Sequence, residues 1–73
     1  MRILLKTAKR IGHRIGVDWD RIDIKEFRQG MQEELEHSSI PKGDLEMTGK
    51  IALDHLREDP KYYTKLARVM KKH

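Results

Sequence analysis

A compact all-α bundle of four short amphipathic helices is the fold that this 73-residue chain predicts. Three observations lead there. Apolar residues recur at helical spacing in four separate stretches. Residues that start or stop helices, namely Gly16, Asp23, Pro41 with Gly43, and Asp59 with Pro60, fall between those stretches. No stretch of convincing length alternates apolar and polar residues with the period of two that a half-buried strand needs. With no internal repeat and no low-complexity tract, the chain reads as one domain over residues 1–73.

In the first stretch Leu4, Ala8, Ile11 and Ile15 are spaced by four, three and four residues, which predicts a core-facing helix from about Leu4 to Ile15. Gly16 is a natural residue for the left-handed turn that ends such a helix. The alternative is an extended run over residues 1–5 with Thr7 capping a shorter helix. On either reading Lys6, Lys9, Arg10 and His13 share the outer face. A connector, Val17 to Ile22, carries the only tryptophan, Trp19, between Asp18 and Asp20. Closing one end of the core is the expected role of Trp19, with stacking on a ligand as the alternative.

Asp23 opens the second helix. With Glu26 three residues on it forms a capping-box arrangement, and Ile22 with Phe27 stands at the positions of a hydrophobic staple. Ile24, Phe27, Met31 and Leu35 carry the apolar stripe to about His37, and SSIPKG (Ser38 to Gly43) is a loop. Asp44 can cap a third helix to about Glu58, with Leu45, Ala52 and Leu56 on one face and Ile51 and Leu53 widening it. Gly49 inside it costs roughly 1 kcal/mol relative to Ala, so it signals a close approach by a neighbouring element. Asp59 and Pro60 then turn one amphipathic rod into two. A cap at Asp59 and proline in the first helical position predict a fourth helix from Pro60. Its stripe is Tyr63, Leu66, Ala67 and Met70, with Lys61, Lys65, Arg68 and Lys72 opposite and Tyr62 and Val69 at the seam.

Composition narrows the function classes. The absence of cysteine removes disulfides, thiolate metal sites and cysteine nucleophiles together. The apolar run in MRILLK is too short for a signal peptide, and nothing approaches the roughly 18 apolar residues of a membrane span, so a soluble, cytoplasmic protein with no membrane partner is expected. Net charge is +4, with basic ends around an acidic middle: residues 1–17 hold five bases and no acid, residues 18–37 seven acids against three bases, and residues 60–73 five bases again. So small a core is marginal, which favours a protein partner or self-association.

The run FRQGMQEELEH (Phe27 to His37), followed after a loop by TGKIALDHLREDPKYYTKL (Thr48 to Leu66), resembles an uncharacterised small domain family, a domain of unknown function, found in bacteria, archaea and tailed phages. The preceding IGHRIGVDWDRIDIKEF fits the same pattern, so the likeness covers about residues 8–70. It implies a soluble prokaryotic or viral protein and supplies no activity, hence no catalytic residue and no cofactor. The chain departs from the family pattern at Ser38 and in its short SSIPKG loop, where relatives tend to have Gly and a longer acidic loop.

The residues themselves offer two sets of candidates. Glu34 and His37 on the second helix and His55 on the third are nitrogen and oxygen donors that would form a metal site if those flanks meet. Partly buried histidines hydrogen-bonded to Glu34 or to backbone are the plainer reading. The basic faces, Lys6, Lys9 and Arg10 on the first helix and Lys61, Lys65, Arg68 and Lys72 on the last, would bind a nucleic-acid backbone if they adjoin, whereas solvated or internally paired charge is the plainer reading. Ser38 and Ser39 lack a nucleophile-elbow pattern, and Gly12, Gly16, Gly30, Gly43 and Gly49 match no phosphate-cradling spacing. The sequence therefore points to a non-catalytic binding or assembly module. A nucleic-acid-associated protein is the second reading and a metal-binding module the third.

Overall fold

The computed structural model describes residues 2–37, 39, 41 and 43–70. Four helices follow in order: α1 (Leu5–Arg14), α2 (Ile24–His37), α3 (Leu45–Glu58) and α4 (Tyr62–Met70). Helices α2 and α3 form the central pair, each touching every other helix, while α1 and α4 lie on that pair without touching one another. Phe27, Met31 and Leu35 of α2 and Ala52, Leu53 and Leu56 of α3 make the middle of the core; Ala8 and Ile11 close it from α1 and Tyr63 from α4.

Helix α1 begins one residue later than expected, and the shift changes which residue is buried. Leu4 has extended backbone (φ −79°, ψ 154°) and no capping side chain. Successive side chains of an extended segment point to opposite sides. Ile3 therefore enters the core and Leu4 leaves the predicted stripe, 51% exposed. Helix α2 holds the Ile3 backbone: its N–H donates to Gln32 Oε1 at 2.7 Å and its carbonyl accepts from Arg28 Nη1 at 3.3 Å. Thr7 lies inside the helix rather than capping it. The end of α1 is as predicted. Gly16 has φ +81°, Val17 N–H donates to Gly12 O at 2.8 Å and Gly16 N–H to His13 O at 3.3 Å, the paired bonds of a Schellman stop.

Asp18 organises the connector, its Oδ1 accepting from Asp20 N–H and its carbonyl from the Arg21 and Ile22 N–H groups. Trp19 stands edge-on to Phe27, ring centroids 5.7 Å apart, and so closes one end of the core. It reaches that position over Gly12, where an added Cβ would meet the indole at 2.5 Å. At the start of α2 half of the predicted capping box forms: Asp23 Oδ1 accepts from Lys25 N–H at 3.0 Å, and the staple residues Ile22 and Phe27 are both buried. Glu26 does not turn back. It is buried, and its carboxylate accepts from the backbone N–H of Thr64 (2.8 Å) and from the Thr64 hydroxyl.

Helix α3 follows its prediction in detail. Asp44 Oδ1 accepts from Met47 N–H at 3.0 Å, and a Cβ on Gly49 would meet Ile11 Cγ2 at 2.9 Å, which is the close approach expected there. The Asp59-Pro60 corner exists, but α4 starts at Tyr62 rather than Pro60. Asp59 N–H still donates to His55 O, so this residue ends α3, and Tyr62 N–H donates to Asp59 O across a tight turn before the helical ladder begins with Lys65 N–H to Lys61 O. Asp59 Oδ1 accepts from Lys61 N–H, and Oδ2 accepts from Lys65 Nζ at 2.8 Å. These bonds to the charged form hold the Asp59 carboxyl below its usual range, the Lys65 bond contributing most. The stripe of α4 is shorter than predicted. Tyr63 is buried and Leu66 and Ala67 are half-buried, whereas Met70 is 44% and Val69 69% exposed.

Three substitutions test this packing. At Gly30 an added Cβ would crowd three atoms of the Tyr63 ring, the farthest at 3.0 Å. Ala gains about 1 kcal/mol in helix propensity, but overpacking costs about 1–3 kcal/mol, so Gly30→Ala is expected to lower stability in urea unfolding. Gly43→Ala, with open space around it, should stay within about 0.5 kcal/mol of the parent. Glu26→Ala strips the half-buried Thr64 donors of their acceptor and should cost about 1.5–3 kcal/mol in the same assay.

Candidate functional site

The C-terminal half of α2 carries Glu33, Glu34, Glu36 and His37, and the fold sends these side chains in different directions. Glu34 faces α3 and α4. The Tyr63 hydroxyl donates to Glu34 Oε2 at 2.8 Å, and His55 Nδ1 lies 3.0 Å from the Tyr63 oxygen and 3.3 Å from Glu34 Oε2. The phenol gives its single hydrogen to Glu34, so His55 Nδ1 is the donor in the remaining contact, a tautomer assigned from the network. Tyr62 stacks on the His55 ring, centroids 4.5 Å apart and planes within 5°. Burial pushes the Tyr63 phenol well above its ordinary range, and the hydrogen bond to Glu34 and the negative charge beside it push it further. The phenol is thus a fixed hydrogen-bond donor that clamps α4 to α2 and α3.

The predicted metal set is divided by this arrangement. Glu34 and His55 meet, as the sequence suggested, but with Tyr63 between them. His37 turns to its own helix, its Nε2 lying 3.3 Å from Glu33 Oε2 and 3.9 Å from Glu36 Oε1. Helical spacing explains the split, since residues four apart share a flank and His37 therefore falls over Glu33. Among the described residues, Glu33, Glu36 and His37 bring one ligand atom each within 4.8 Å of one another.

The basic faces are also kept apart. Their union depended on α1 and α4 being neighbours, and those helices do not touch. Lys6, Lys9 and Arg10 are exposed and form no ion pair among the described residues, while Arg14 pairs with Glu46 at 3.1 Å. Lys61, just before α4, and Arg68 on it are exposed, and Lys65 is tied to Asp59; Lys71 and Lys72 lie outside the described residues, as do Ser38, Ile40 and Lys42 of the loop.

Beside the α1 face runs a groove that residue patterns did not single out. It is lined by Leu5, Lys6 and Lys9 of α1, Trp19, Asp20 and Arg21 of the connector, Asp23 and the first residue of α2, Ile24. Leu5 is 44% exposed, and Trp19 and Ile24 are half-buried. One signal was available: Leu5 is an apolar residue outside the core spacing and next to the lysines of the basic face.

A family model described as Protein of unknown function (DUF5661) matches residues 8–72. The chain belongs to that family. The matched span takes in Ala8 onward of α1 and all of α2, α3 and α4, so the Glu34–Tyr63–His55 clamp and all of the groove except Leu5 and Lys6 fall within the DUF5661 region. No curated protein and no solved structure matches the chain.

The clamp in this DUF5661 chain has a pH signature. An unfolded tyrosine ionises near pH 10, whereas the native Tyr63 phenol stays neutral above that point. A folded-state pKa above the unfolded one stabilises fully below about pH 10, and that contribution falls as pH rises beyond it. Tyr63→Phe, which leaves Glu34 and His55 without their shared partner, should cost about 1–2 kcal/mol at pH 8. The gap between parent and variant should narrow when urea unfolding is repeated at pH 11.

Proposed function

We propose that this chain is a non-catalytic binding module working in a prokaryotic or phage setting, and that its partner is an acidic, partly apolar segment of another protein seated in the groove between α1 and the Trp19 connector. The observation that carries this reading is the pairing of exposed Leu5 with the cations Lys6 and Lys9, which form no ion pair among the described residues, beside the half-buried Trp19 and Ile24. An apolar floor flanked by unpaired positive charge complements a segment with apolar anchors and carboxylates on one flank. Asp20 and Asp23 also line the groove and repel anions there, which fits a segment with its carboxylates on the Lys6 and Lys9 flank alone better than an evenly charged phosphate backbone. The non-catalytic part of the reading rests on the chemistry the sequence offers: no cysteine, and two adjacent serines in a loop.

Trp19, the only tryptophan, reports on this groove directly. Titration with a synthetic acidic amphipathic helical peptide is expected to shift Trp19 emission saturably. Replacing both Lys6 and Lys9 by Glu should weaken binding by about tenfold or more, roughly 1.4 kcal/mol. No change with the peptide sinks the proposal. A response to a single-stranded oligonucleotide instead, falling steeply with salt, would move the function to nucleic-acid association.

A further inference from the structure

A different part of the molecule, independent of the groove, carries a second binding site. We propose that Glu33, Glu36 and His37, in the last turns of α2, form a clip for a divalent transition ion of the zinc class, held by His37 Nε2 and one oxygen from each carboxylate.

The spacing i, i+3, i+4 puts the three side chains on one flank of the helix. Donors sharing one tetrahedral zinc ion at 2.0–2.2 Å stand about 3.4 Å apart. His37 Nε2 lies 3.3 Å from Glu33 Oε2 and 3.9 Å from Glu36 Oε1, so two edges of such a polyhedron are close to formed. Glu33, whose side chain is 21% exposed, supplies a second sign at one of its oxygens. Its Oε2 is shut off from solvent and accepts no hydrogen bond, although His37 Nε2 lies near it. A carboxylate oxygen withdrawn from water without a donor is costly, and a cation is among the partners that relieve it. His37 ends the helix, where the unpaired carbonyls of the last turn also favour positive charge.

The donor set selects the ion. One imidazole and two carboxylates with no thiolate suit zinc, cobalt(II) or nickel(II), whereas calcium and magnesium prefer oxygen alone. Three protein donors leave a coordination position for water. His37 and Glu36 are 61% and 54% exposed, so an ion has a direct path in.

An ordinary Glu33–His37 ion pair would explain the same short distance, and the two readings part on pH. The ion pair needs a protonated imidazole and the metal clip a neutral one, so zinc binding must strengthen as pH rises and must release protons. The test is calorimetric titration of the untagged chain with zinc chloride at pH 5.5 and 7.5, with cobalt(II) absorption as an optical readout. One saturable site at pH 7.5, weaker at pH 5.5, is expected. Loss of a ligand should cost at least the roughly tenfold seen when a supporting residue is removed, so both His37→Ala and Glu33→Gln should weaken binding by that factor, with His13→Ala unchanged. In the unsubstituted chain, backbone NMR shifts on adding zinc should concentrate at residues 33–37, a readout that holds even if a variant folds poorly. No saturable binding, binding indifferent to His37→Ala or Glu33→Gln, tighter binding at the lower pH, or shifts centred elsewhere would each overturn the clip.

Discussion

One buried carboxylate holds the last helix in place. The residue before α4, Lys61, has no side-chain oxygen with which to satisfy the free N–H groups of the first turn. Glu26, 38 residues earlier in the chain, supplies the acceptor from α2, taking both the N–H and the hydroxyl of Thr64. A buried carboxylate without donors would be strongly unfavourable, and a helix start without an acceptor would fray. Each defect is the remedy for the other. Satisfying both fixes where α4 sits along α2 and so places Tyr63 over Gly30.

Glycine sets how closely the helices approach. Gly12 admits Trp19, Gly30 admits Tyr63, and Gly49 admits Ile11 together with Ile15. In a chain this short, with one phenylalanine, one tryptophan and two tyrosines, large side chains have few neighbours large enough to meet them halfway. Removing a Cβ beneath them brings backbone and ring into contact and fills the core with fewer residues. This is why a sequence rich in charge and poor in aromatics still closes a hydrophobic centre.

Features set within a few residues were legible in the sequence, and features that depend on distant partners were not. Gly16, Asp44, the Asp59 corner, the bounds of α2 and α3 and the close approach at Gly49 follow from capping, turn chemistry and spacing, which act locally. Glu26 carries a local signature, the capping box, that lost to a tertiary acceptor role no spacing encodes. Ile3 and Leu4 exchanged places because a one-residue shift in helix start reverses which side chain faces inward. The same contrast runs through the candidate sites. Proximity of Glu34 to His55 could be anticipated as a meeting of two flanks and that of His37 to Glu33 from their i, i+4 spacing, while the bridging phenol of Tyr63 needed the path of α4. The groove was missed because Trp19 was weighed as core or as ligand platform, and it is half-buried with an edge in each environment.

The polar ties of α4 are crowded into its first turn: the stack of Tyr62 on His55, the phenol of Tyr63, both donors of Thr64 and the Lys65 ion pair. Beyond them only Leu66 and Ala67 are even partly covered. With its polar ties gathered in one turn, the helix loses all of them together once that turn is displaced. Helix α4 is built as a latch rather than a zipper, and its detachment would uncover the Glu26 and Glu34 carboxylates in one step.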